Sequence, residues 1–403
     1  MVKEGFKSTE AGTIPSDWET SKLLEKCLLL NGLTYTPENV HTQGLLVLRS
    51  SNIQNGKLCF DDNVYVDCHV SNEKYIYKND IIVCVRNGSS ALIGKCAIAK
   101  NDLHATFGAF MALLRGNDNE YVFQLLQEGS IQKKLKNNSG ATINQITKKD
   151  FESVFIPLPS EKERLAISTA LADTDELIEN LEKLVEKKKA IKQGTMQALL
   201  TGKKRLPGFS GEWKEHTIGK CGYLQKGSIN PQTEPEKYFT EYSMPAFDST
   251  RSPAKVQGKT MHSNRTVISG KVLLFNKLNV RQKRIWLVES CEANAVCSAE
   301  FLPYSSDVID LKLLSQILFT DKVTNEFIGM STGSSNSQKR ITPKAFLDYT
   351  LFLPTDIEEQ KALATVFNDM DNEIIQLETQ LEKYRLLKQG MMQKLLTGEI
   401  RLV

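Results

Sequence analysis

The chain of 403 residues lacks any long hydrophobic run. A helix that crosses a membrane needs about eighteen or more apolar residues in succession, and no stretch approaches that length. The first residues, Met1 to Phe6, contain no apolar core of a secretory signal. We therefore expect a cytoplasmic protein with no membrane partner. With 40% hydrophobic and 25% charged residues, the chain has the composition of about two or three globular domains.

Motifs for metal binding and catalysis are also missing. The eight cysteines include no Cys-x-x-Cys pair, and the five histidines are scattered without the short, regular spacings that metal ligands show. There is no His-Glu-x-x-His motif and no Asn/Asp-Pro-Pro-aromatic motif. We expect reduced and mostly buried thiols, no metal, no cofactor and no active site of the chain's own.

Positive charge is modest and uneven. The net charge is +3; residues 216–350 hold 17 Lys and Arg against 12 Asp and Glu, whereas residues 19–155 hold 15 against 14. Nucleic-acid binding usually shows as a basic face and not as a basic total. These counts permit DNA binding without establishing it.

One segment is present twice. Residues 163–206 reappear at 359–402, an offset of 196, most clearly where Gln193–Gly202 matches Gln389–Gly398. In both copies apolar residues recur at steps of three and four, which predicts a packed helix of about forty residues, roughly 60 Å long. The predicted packing positions are Ile167, Leu171, Thr174, Ile178, Leu181, Val185 and Lys188, and Leu363, Phe367, Met370, Ile374, Leu377, Leu381 and Tyr384. A chain with such a duplication is built as two halves.

Capping signals predict where both helices begin and end. Ser160 with Glu163, and Thr355 with Glu358, have the spacing of a capping box. Gly202 and Gly398 follow the last apolar positions and can take the left-handed conformation of a C-terminal cap.

Two further glycines lie inside these helices. Gly194 and Gly390 each cost about 1 kcal/mol relative to alanine, so we expect the two helices to approach each other closely there. An ordinary helical hairpin or a homodimeric coiled coil is the alternative interpretation of the packing positions. The long separation of the copies within one chain disfavours it.

Each helix follows a segment of about 140 residues that contains short β-like runs, among them Leu45–Leu48, Ile81–Val85 and Val272–Phe275. The segments share their edges at an offset of 195: Trp18 matches Trp213, and Leu158 matches Leu353. Between those edges they diverge. Matching edges around different interiors suggest two related domains that recognise different targets. We expect a pseudo-twofold cyclic molecule whose termini lie close together.

These motifs resemble those of the specificity subunits of type I restriction-modification systems, over essentially the whole chain. The resemblance rests on Ser139–Ile146 before Asp150-Phe151, on Gly333-Ser334-Ser335 with Lys339-Arg340-Ile341, and on the repeated Gln-Gly-x-Met-Gln-x-Leu-Leu-Thr-Gly. One departure is Ala345, which stands where the first half has Asp150. The role of that loop can therefore differ between the halves.

The resemblance implies an α+β fold with two mixed α/β target recognition domains separated by two long antiparallel coiled-coil helices. We expect one target recognition domain at 1–155 with an N-terminal arm, a central spacer helix at 156–206, a second domain at 207–350 and a C-terminal spacer helix at 351–403. The resemblance further implies that each domain reads one half of a split site in double-stranded DNA, and that the helices set the gap and dock two methyltransferase subunits. Restriction and translocase subunits complete the implied assembly.

Candidate DNA-binding residues follow from base-reading chemistry, in which Arg and Lys suit guanine, Asn and Gln suit adenine, and hydroxyls suit either. In the first domain these are Arg49, Asn52, Arg86, Asn87, Thr142, Asn144 and Gln145; in the second they are Lys277, Arg281, Lys283, Arg284, Ser337, Lys339 and Arg340. Candidate partner-binding residues on the helices are Gln193, Met196, Leu199, Leu200, Gln389, Met392, Leu395 and Leu396. Taken singly, each residue is also compatible with a purely structural role, as a surface charge, a turn residue or part of the contact between the helices.

Two other functions compete with a DNA-reading, non-catalytic subunit. A single-chain nuclease or methyltransferase would need an active site, and its motifs are absent. A coiled-coil scaffold that binds only proteins would not need two like-framed domains with unlike contents.

Overall fold

The computed structural model describes residues 4–137, 145–333 and 338–402. The chain divides into two compact units. Unit 1 comprises Met1–Lys183 and Thr379–Val403, and unit 2 comprises Leu184–Glu378. Each unit therefore contains one globular domain, part of the first long helix and part of the second. No helix in the described ranges is both long enough and apolar enough to cross a membrane.

Unit 1 is rich in short strands. Its strands are β1 Phe6–Thr9, β2 Gly12–Pro15, β3 Glu19–Lys22, β4 Leu28–Asn31, β5 Val40–His41, β6 Leu45–Leu48, β7 Ile53–Gln54, β8 Lys57–Leu58, β9 Val64–Val66, β10 Ile81–Cys84, β11 Cys96–Ile98, β12 Ala105–Phe107, β13 Met111–Arg115 and β14 Phe155–Leu158. Its helices are α1 Leu23–Lys26, α2 Asn119–Gln127, α3 Gly129–Asn137, α4 Lys148–Glu152 and the first part of α5 Glu161–Leu200.

Unit 2 has a closely similar set. Its strands are β15 Trp213–Thr217, β16 Tyr223–Leu224, β17 Ser228–Ile229, β18 Tyr238–Tyr242, β19 Ala254–Gln257, β20 Arg265–Val267, β21 Val272–Asn276, β22 Ile285–Val288, β23 Ala295–Ser298, β24 Phe301–Ser305 and β25 Thr350–Pro354. Its helices are α6 Ile218–Cys221, α7 Met244–Ser249, α8 Leu311–Leu318, α9 Asp321–Met330, α10 Pro343–Leu347 and most of α11 Ile357–Leu395.

The sheets of the two units share one topology. An antiparallel sheet has the order β11-β10-β13-β4 in unit 1 and β22-β21-β24-β16 in unit 2. A second sheet contains one parallel pair, β6 with β12 or β18 with β23. A ribbon of β3 with β14, or of β15 with β25, joins the start of each domain to the strand before its long helix. The units also differ: unit 2 has strands β17 and β20 beside β23, whereas unit 1 has β5 beside β9 and the two-stranded ribbons β1-β2 and β7-β8.

Strand β10 shows why the antiparallel sheet is central. Its residues Ile81, Ile82, Val83 and Cys84 are all buried, as expected of an apolar run covered on both faces. Since side chains alternate across a strand, Ile81 and Val83 enter one hydrophobic core while Ile82 and Cys84 enter another. Strand β21 divides its apolar residues between two cores in the same way.

The long helices pack against each other as predicted. In unit 1, Ile167 and Leu171 share a core with Leu395 and Leu396. In unit 2, Met196 and Leu199 share a core with Leu363 and Phe367. Ion pairs follow the antiparallel direction: in unit 1 they join Asp175 to Lys388 (2.7 Å) and Glu182 to Arg385 (2.8 Å), and in unit 2 they join Lys189 to Glu378 (2.9 Å) and Lys192 to Asp371.

The glycine caps at the helix ends are confirmed. Gly202 and Gly398 have φ of +68° and +70°, in the left-handed region. Their amides bond back to Leu199 and Leu395, over 3.1 and 3.2 Å, which closes the last turns.

The predicted capping boxes are wrong in part. Ser160 accepts a hydrogen bond from the amide of Glu163 (3.3 Å), but the Glu163 carboxylate is buried and bonds Trp18. Helix α11 begins one residue later than predicted, so Asp356 accepts from the Glu358 amide (2.9 Å). Glu358 instead pairs with Lys361.

The expected close approach at the helix glycines is also wrong. A Cβ atom added to Gly194 or to Gly390 would meet no described atom within 4 Å, apart from the local helix backbone and chain neighbours. Neither glycine is needed for packing within its own unit.

Candidate nucleic-acid interface

In unit 1, four loops meet beyond the end of strand β10. The amides of Val85 and Arg86 both donate to the carbonyl of Phe110, over 3.0 and 3.1 Å. The carbonyl of Val85 accepts from the amide of Ile146 (2.8 Å), and Arg86 pairs with Gln145 in an isolated β-bridge. The Asn87 side chain donates to Ser50 Oγ (3.0 Å). Main-chain and side-chain bonds thus gather these segments, which we call the unit 1 loop cluster.

Several predicted residues lie in this cluster. Arg86 is exposed, and its guanidinium carbon lies 5.7 Å from the centre of the Phe110 ring. Asn87 and Gln145 are half-buried. Thr142 and Asn144 lie outside the described residues.

Arg49 and Asn52 have internal partners. Arg49 forms an ion pair with Asp62 (2.8 Å). Asn52 is fully buried; it accepts from the amide of Arg49 (2.9 Å) and donates to the carbonyl of Cys59 (2.9 Å). These bonds show that Asn52 stabilises the loop. The Arg49 side chain remains partly exposed and can face a ligand.

The unit 2 loop cluster repeats two of these main-chain hydrogen bonds and the isolated bridge. The amide of Lys277 donates to the carbonyl of Glu300 (2.9 Å), and the amide of Ile341 donates to the carbonyl of Lys277 (2.9 Å). Leu278 and Arg340 form an isolated β-bridge. The side chains nevertheless differ from those of unit 1: Arg340 takes the place of Gln145, and Glu300 takes the place of Phe110.

Arg340 is an exposed residue that binds Glu300 through two nitrogens, both at 3.2 Å. The Glu300 carboxylate raises the pKa of Arg340, chiefly through these hydrogen bonds. Lys277 and Lys339 are half-buried lysines near the pair: Lys339 precedes Arg340 in the chain, and the Lys277 amide donates to Glu300. Ser337 lies outside the described residues.

The basic residues at 277–284 differ in whether they have an ion-pair partner. Lys283 binds Asp321 (2.6 Å), and Arg284 binds both carboxylate oxygens of Asp248, each at 2.8 Å. Arg284 lowers the pKa of Asp248 through those bonds. Arg281 is exposed and has no ion-pair partner in the described ranges. Lys283 and Arg284 are thus neutralised within the unit, whereas Arg281 can offer its charge outward.

The helix residues proposed for partner binding fall into two groups. Met196 and Leu199 are buried in the core of unit 2, and Leu395 and Leu396 are buried in the core of unit 1. Leu200 and Met392 pack partly against the same cores, while Gln193 and Gln389 are exposed. The buried residues already have partners within their own units. Sequence reasoning missed the exposed apolar residues of these helices, which are Leu165, Leu177, Leu184, Ile191, Ile375, Leu386 and Leu387.

Two residues of the loop clusters were also missed, Phe110 and Glu300. Both lie in the turn that links a strand of one sheet to a strand of the other, β12 to β13 or β23 to β24. The segments Ala105–Arg115 and Ala295–Ser305 can be aligned on their first and fifth residues, both alanine. That signal is too weak to stand out from sequence alone.

Together the fold and the loop clusters define a class: a protein of two mixed α/β domains with one shared frame, combined with two long antiparallel helices. Residues 15–193 match the family model described as type I restriction modification DNA specificity domain. The match covers the domain of unit 1 and much of α5, and unit 2 repeats the topology of that domain.

The chain is similar to specificity subunits of known type I restriction enzymes. It is 29% identical over 204 residues to the StySPI specificity subunit of Salmonella potsdam, in an alignment that covers 47% of this chain and 44% of that protein. The chain thus spans under half the length of that relative. It is 22% identical to the MjaVIII specificity subunit of Methanocaldococcus jannaschii, with 99% of this chain and 96% of that protein aligned.

A solved structure has the same fold. The S subunit of a type I restriction-modification system from M. genitalium superposes with a TM-score of 0.61 at 16% identity, over 94% of this chain and 96% of that one. The comparisons confirm the resemblance to type I restriction-modification specificity subunits that the sequence predicted, and the solved structure shows that the fold is shared.

Proposed function

We propose that this protein is the sequence-specific DNA-binding specificity subunit of a type I restriction-modification complex, and that each unit reads one half of a bipartite site. One observation carries the proposal. The two loop clusters share two main-chain hydrogen bonds and an isolated β-bridge but present different side chains, Arg86 with Phe110 in one and Arg340 with Glu300 in the other. A shared backbone arrangement with different side chains suits two domains that recognise two different DNA sequences.

The charges of the clusters suit a nucleic-acid ligand. Arg86 and Arg340 can donate to guanine O6 and N7, and Asn87 and Gln145 suit adenine. Arg281, Lys277 and Lys339 can bind phosphate oxygens, which positions the duplex without reading it. Phosphate contacts release counterions, so affinity should fall steeply as salt rises.

The helices α5 and α11, of 40 and 39 residues, would set the gap between the half-sites. Each residue adds about 1.5 Å of helix, and each base pair advances B-DNA by about 3.4 Å. Matched insertions of four residues in both helices should therefore lengthen the gap by about two base pairs.

The exposed apolar residues of the helices favour a second role, the docking of two methyltransferase subunits. Leu184 and Ile191 in unit 2, and Leu386 and Leu387 in unit 1, are at least one-third exposed. Contiguous apolar side chains on an exposed surface mark sites that another protein covers, and Leu386 and Leu387 are adjacent in the chain. The chain would itself be non-catalytic and would select the site at which those subunits act, with restriction subunits joining the full complex in the cytoplasm.

Mapping of methylated adenines in the source genome, with and without this gene, tests the proposal. We expect a split motif whose methylation disappears on deletion. In complemented strains, Arg86→Ala should weaken or relax only the half-site read by unit 1, and Arg340→Ala only the other. Lys214→Ala removes one exposed positive charge from β15 and should leave the motif unchanged.

A methylome that deletion does not change would instead favour a scaffold that binds only proteins. Methylation or cleavage by the purified chain alone would revive the interpretation as an enzyme.

A further inference from the structure

The turn that links β12 to β13, or β23 to β24, is held in its loop cluster by main-chain hydrogen bonds. In unit 1 the turn runs from Gly108 to Met111, closed by a hydrogen bond from the Met111 amide to the Gly108 carbonyl (2.8 Å). Phe110 lies at its tip, and its carbonyl accepts from both Val85 and Arg86. The backbone of this residue is therefore fixed from two sides.

Phe110 holds a large apolar side chain open to water, since 57% of the residue is exposed. The Arg86 guanidinium lies 5.7 Å from its ring centre, a cation-π distance. An aromatic ring held open to water beside a positive charge has the chemistry of a nucleobase contact and costs little ordering entropy on binding.

In unit 2 the same turn position is Glu300. Its carbonyl accepts from Lys277, and its amide donates to Ser298 Oγ (3.3 Å). A bare carboxylate beside DNA would be repelled by phosphates. Arg340 offsets that repulsion through its two hydrogen bonds to Glu300, and each carboxylate oxygen keeps a lone pair for a further donor.

We propose that this turn residue decides one base in each half-site, so that Phe110 reads a thymine and Glu300, together with Arg340, reads a G·C pair. Phe110 contacts the thymine 5-methyl group. Glu300 accepts from the cytosine N4 amino group while Arg340 donates to the guanine, which presents acceptors in the major groove. The assignment rests on the proposed function and names the side chains that give the two units different base preferences.

The test uses the full chain assembled with its methyltransferase subunits, and two pools of duplexes, each randomised at one half-site while the other half-site is held constant. Adenine methylation is sequenced for the wild type and for Phe110→Ala, Phe110→Leu and Glu300→Gln. We expect Phe110→Ala to lower the preference for one T·A pair about tenfold, with Phe110→Leu in between. Glu300→Gln should lower the preference for one G·C pair in the other half-site by a similar factor.

The unaltered half-site is an internal control, because a misfolded chain would lose both preferences together. Glu289→Gln is the matched carboxylate control: Glu289 is an exposed partner of Lys271 (2.8 Å) in the same unit, and its loss should leave both half-sites unchanged. Variants that keep every base preference of the wild type, or that weaken all sequences equally, would overturn the assignment while a split wild-type motif upheld the proposed function. A wild type with no split motif would remove both.

Discussion

The guanidinium group of Arg401 donates to both carboxylate oxygens of Glu163, over 2.5 Å to Oε1 and 2.8 Å to Oε2. Glu163 is 1% exposed, and Trp18 Nε1 donates a third bond to it over 3.1 Å. Arg401 also binds Asp17, so the C-terminal part of the chain is tied to its N-terminal part within unit 1. The pKa of Arg401 is raised by Glu163 first and Asp17 second.

Unit 2 contains the same arrangement in a continuous stretch of chain. Arg205 binds Glu359 over 2.7 and 2.6 Å, and Trp213 Nε1 donates to Glu359 over 3.2 Å. In both units the arginine lies 5.5 Å from the centre of the tryptophan ring. Each long helix is thus fastened at its start by a Trp, Glu and Arg cluster.

Removal of Arg401 should destabilise unit 1. The Arg401→Met variant leaves the Glu163 carboxylate buried without its cation, which we expect to cost about 3 kcal/mol in the free energy of unfolding. Urea denaturation followed by circular dichroism measures it. The double variant Arg401→Met with Glu163→Gln should recover much of the loss. Lys361→Met, which removes an exposed pair, should destabilise the protein far less than Arg401→Met does. A single variant as stable as the wild type would contradict the role of the pair.

A circular permutant should fold like the parent. Opening the chain at Gly208, an exposed turn residue, and joining the original termini keeps the Arg401 contacts in unit 1 and the Arg205 contacts in unit 2. We expect an unchanged circular dichroism spectrum and, in the complex, the parent methylation motif. An insoluble permutant, or one that loses a half-site, would count against the cyclic arrangement.

Alanine at the helix glycines should stabilise the protein. Gly194 and Gly390 have open space at the Cβ position among the described atoms, so Gly194→Ala and Gly390→Ala should each raise the free energy of unfolding by about 0.4–1 kcal/mol. Gly398→Ala is the opposite case, because φ is +70° and the new Cβ would lie 2.3 Å from Pro15 Cγ. Urea midpoints should rise for the first two and fall for the third. A fall for all three would show that the helix glycines have a packing role.

An acid-sensitive contribution should come from Glu179. Hydrogen bonds from Lys183 and Lys100 lower the pKa of its carboxyl from 4.5 to about 2. Because the folded form binds its proton more weakly than the unfolded form, this contribution is complete above about pH 4.5 and is lost as the pH falls through about 2.

The Glu179→Gln variant tests this contribution. It should be less stable than the wild type at neutral pH by under about 1 kcal/mol. This difference in stability should vanish as the pH falls to about 2. Glu176→Gln changes the charge of the same helix without removing an ion pair of the described chain, which makes it the control. A difference that does not depend on pH would contradict the assignment.

Much of the helical frame was predictable because its signals are local. The packing positions, the caps at Gly202 and Gly398, and the offset of 196 all follow from spacing along the chain. The sequence even contains the Trp, Glu and Arg of both clusters at matching offsets. Their association was not predicted, since nothing in local spacing brings Arg401 to Glu163, and Glu163 was assigned to a capping box instead.

The loop clusters were harder to predict. Candidate residues were chosen by type, and type does not reveal whether a polar side chain faces inward or outward: Asn52 is buried, whereas Arg86 is exposed. Phe110 and Glu300 carry no motif, and their equivalence becomes visible only when the strands on either side are aligned in space. A strand requires apolar residues at alternating positions but does not require particular ones. The two units therefore share a topology while having few identical residues in their strands.

The sequence by itself determined that the chain consists of two related halves with two long packed helices, because helical periodicity and end caps depend on residues within a few turns of one another. Only the tertiary structure decided which side chains meet at the ends of β10 and β21, and which helix leucines are enclosed in the cores. Those outcomes depend on contacts between residues far apart in the chain, whose free energies are settled by packing and burial and not by neighbouring sequence.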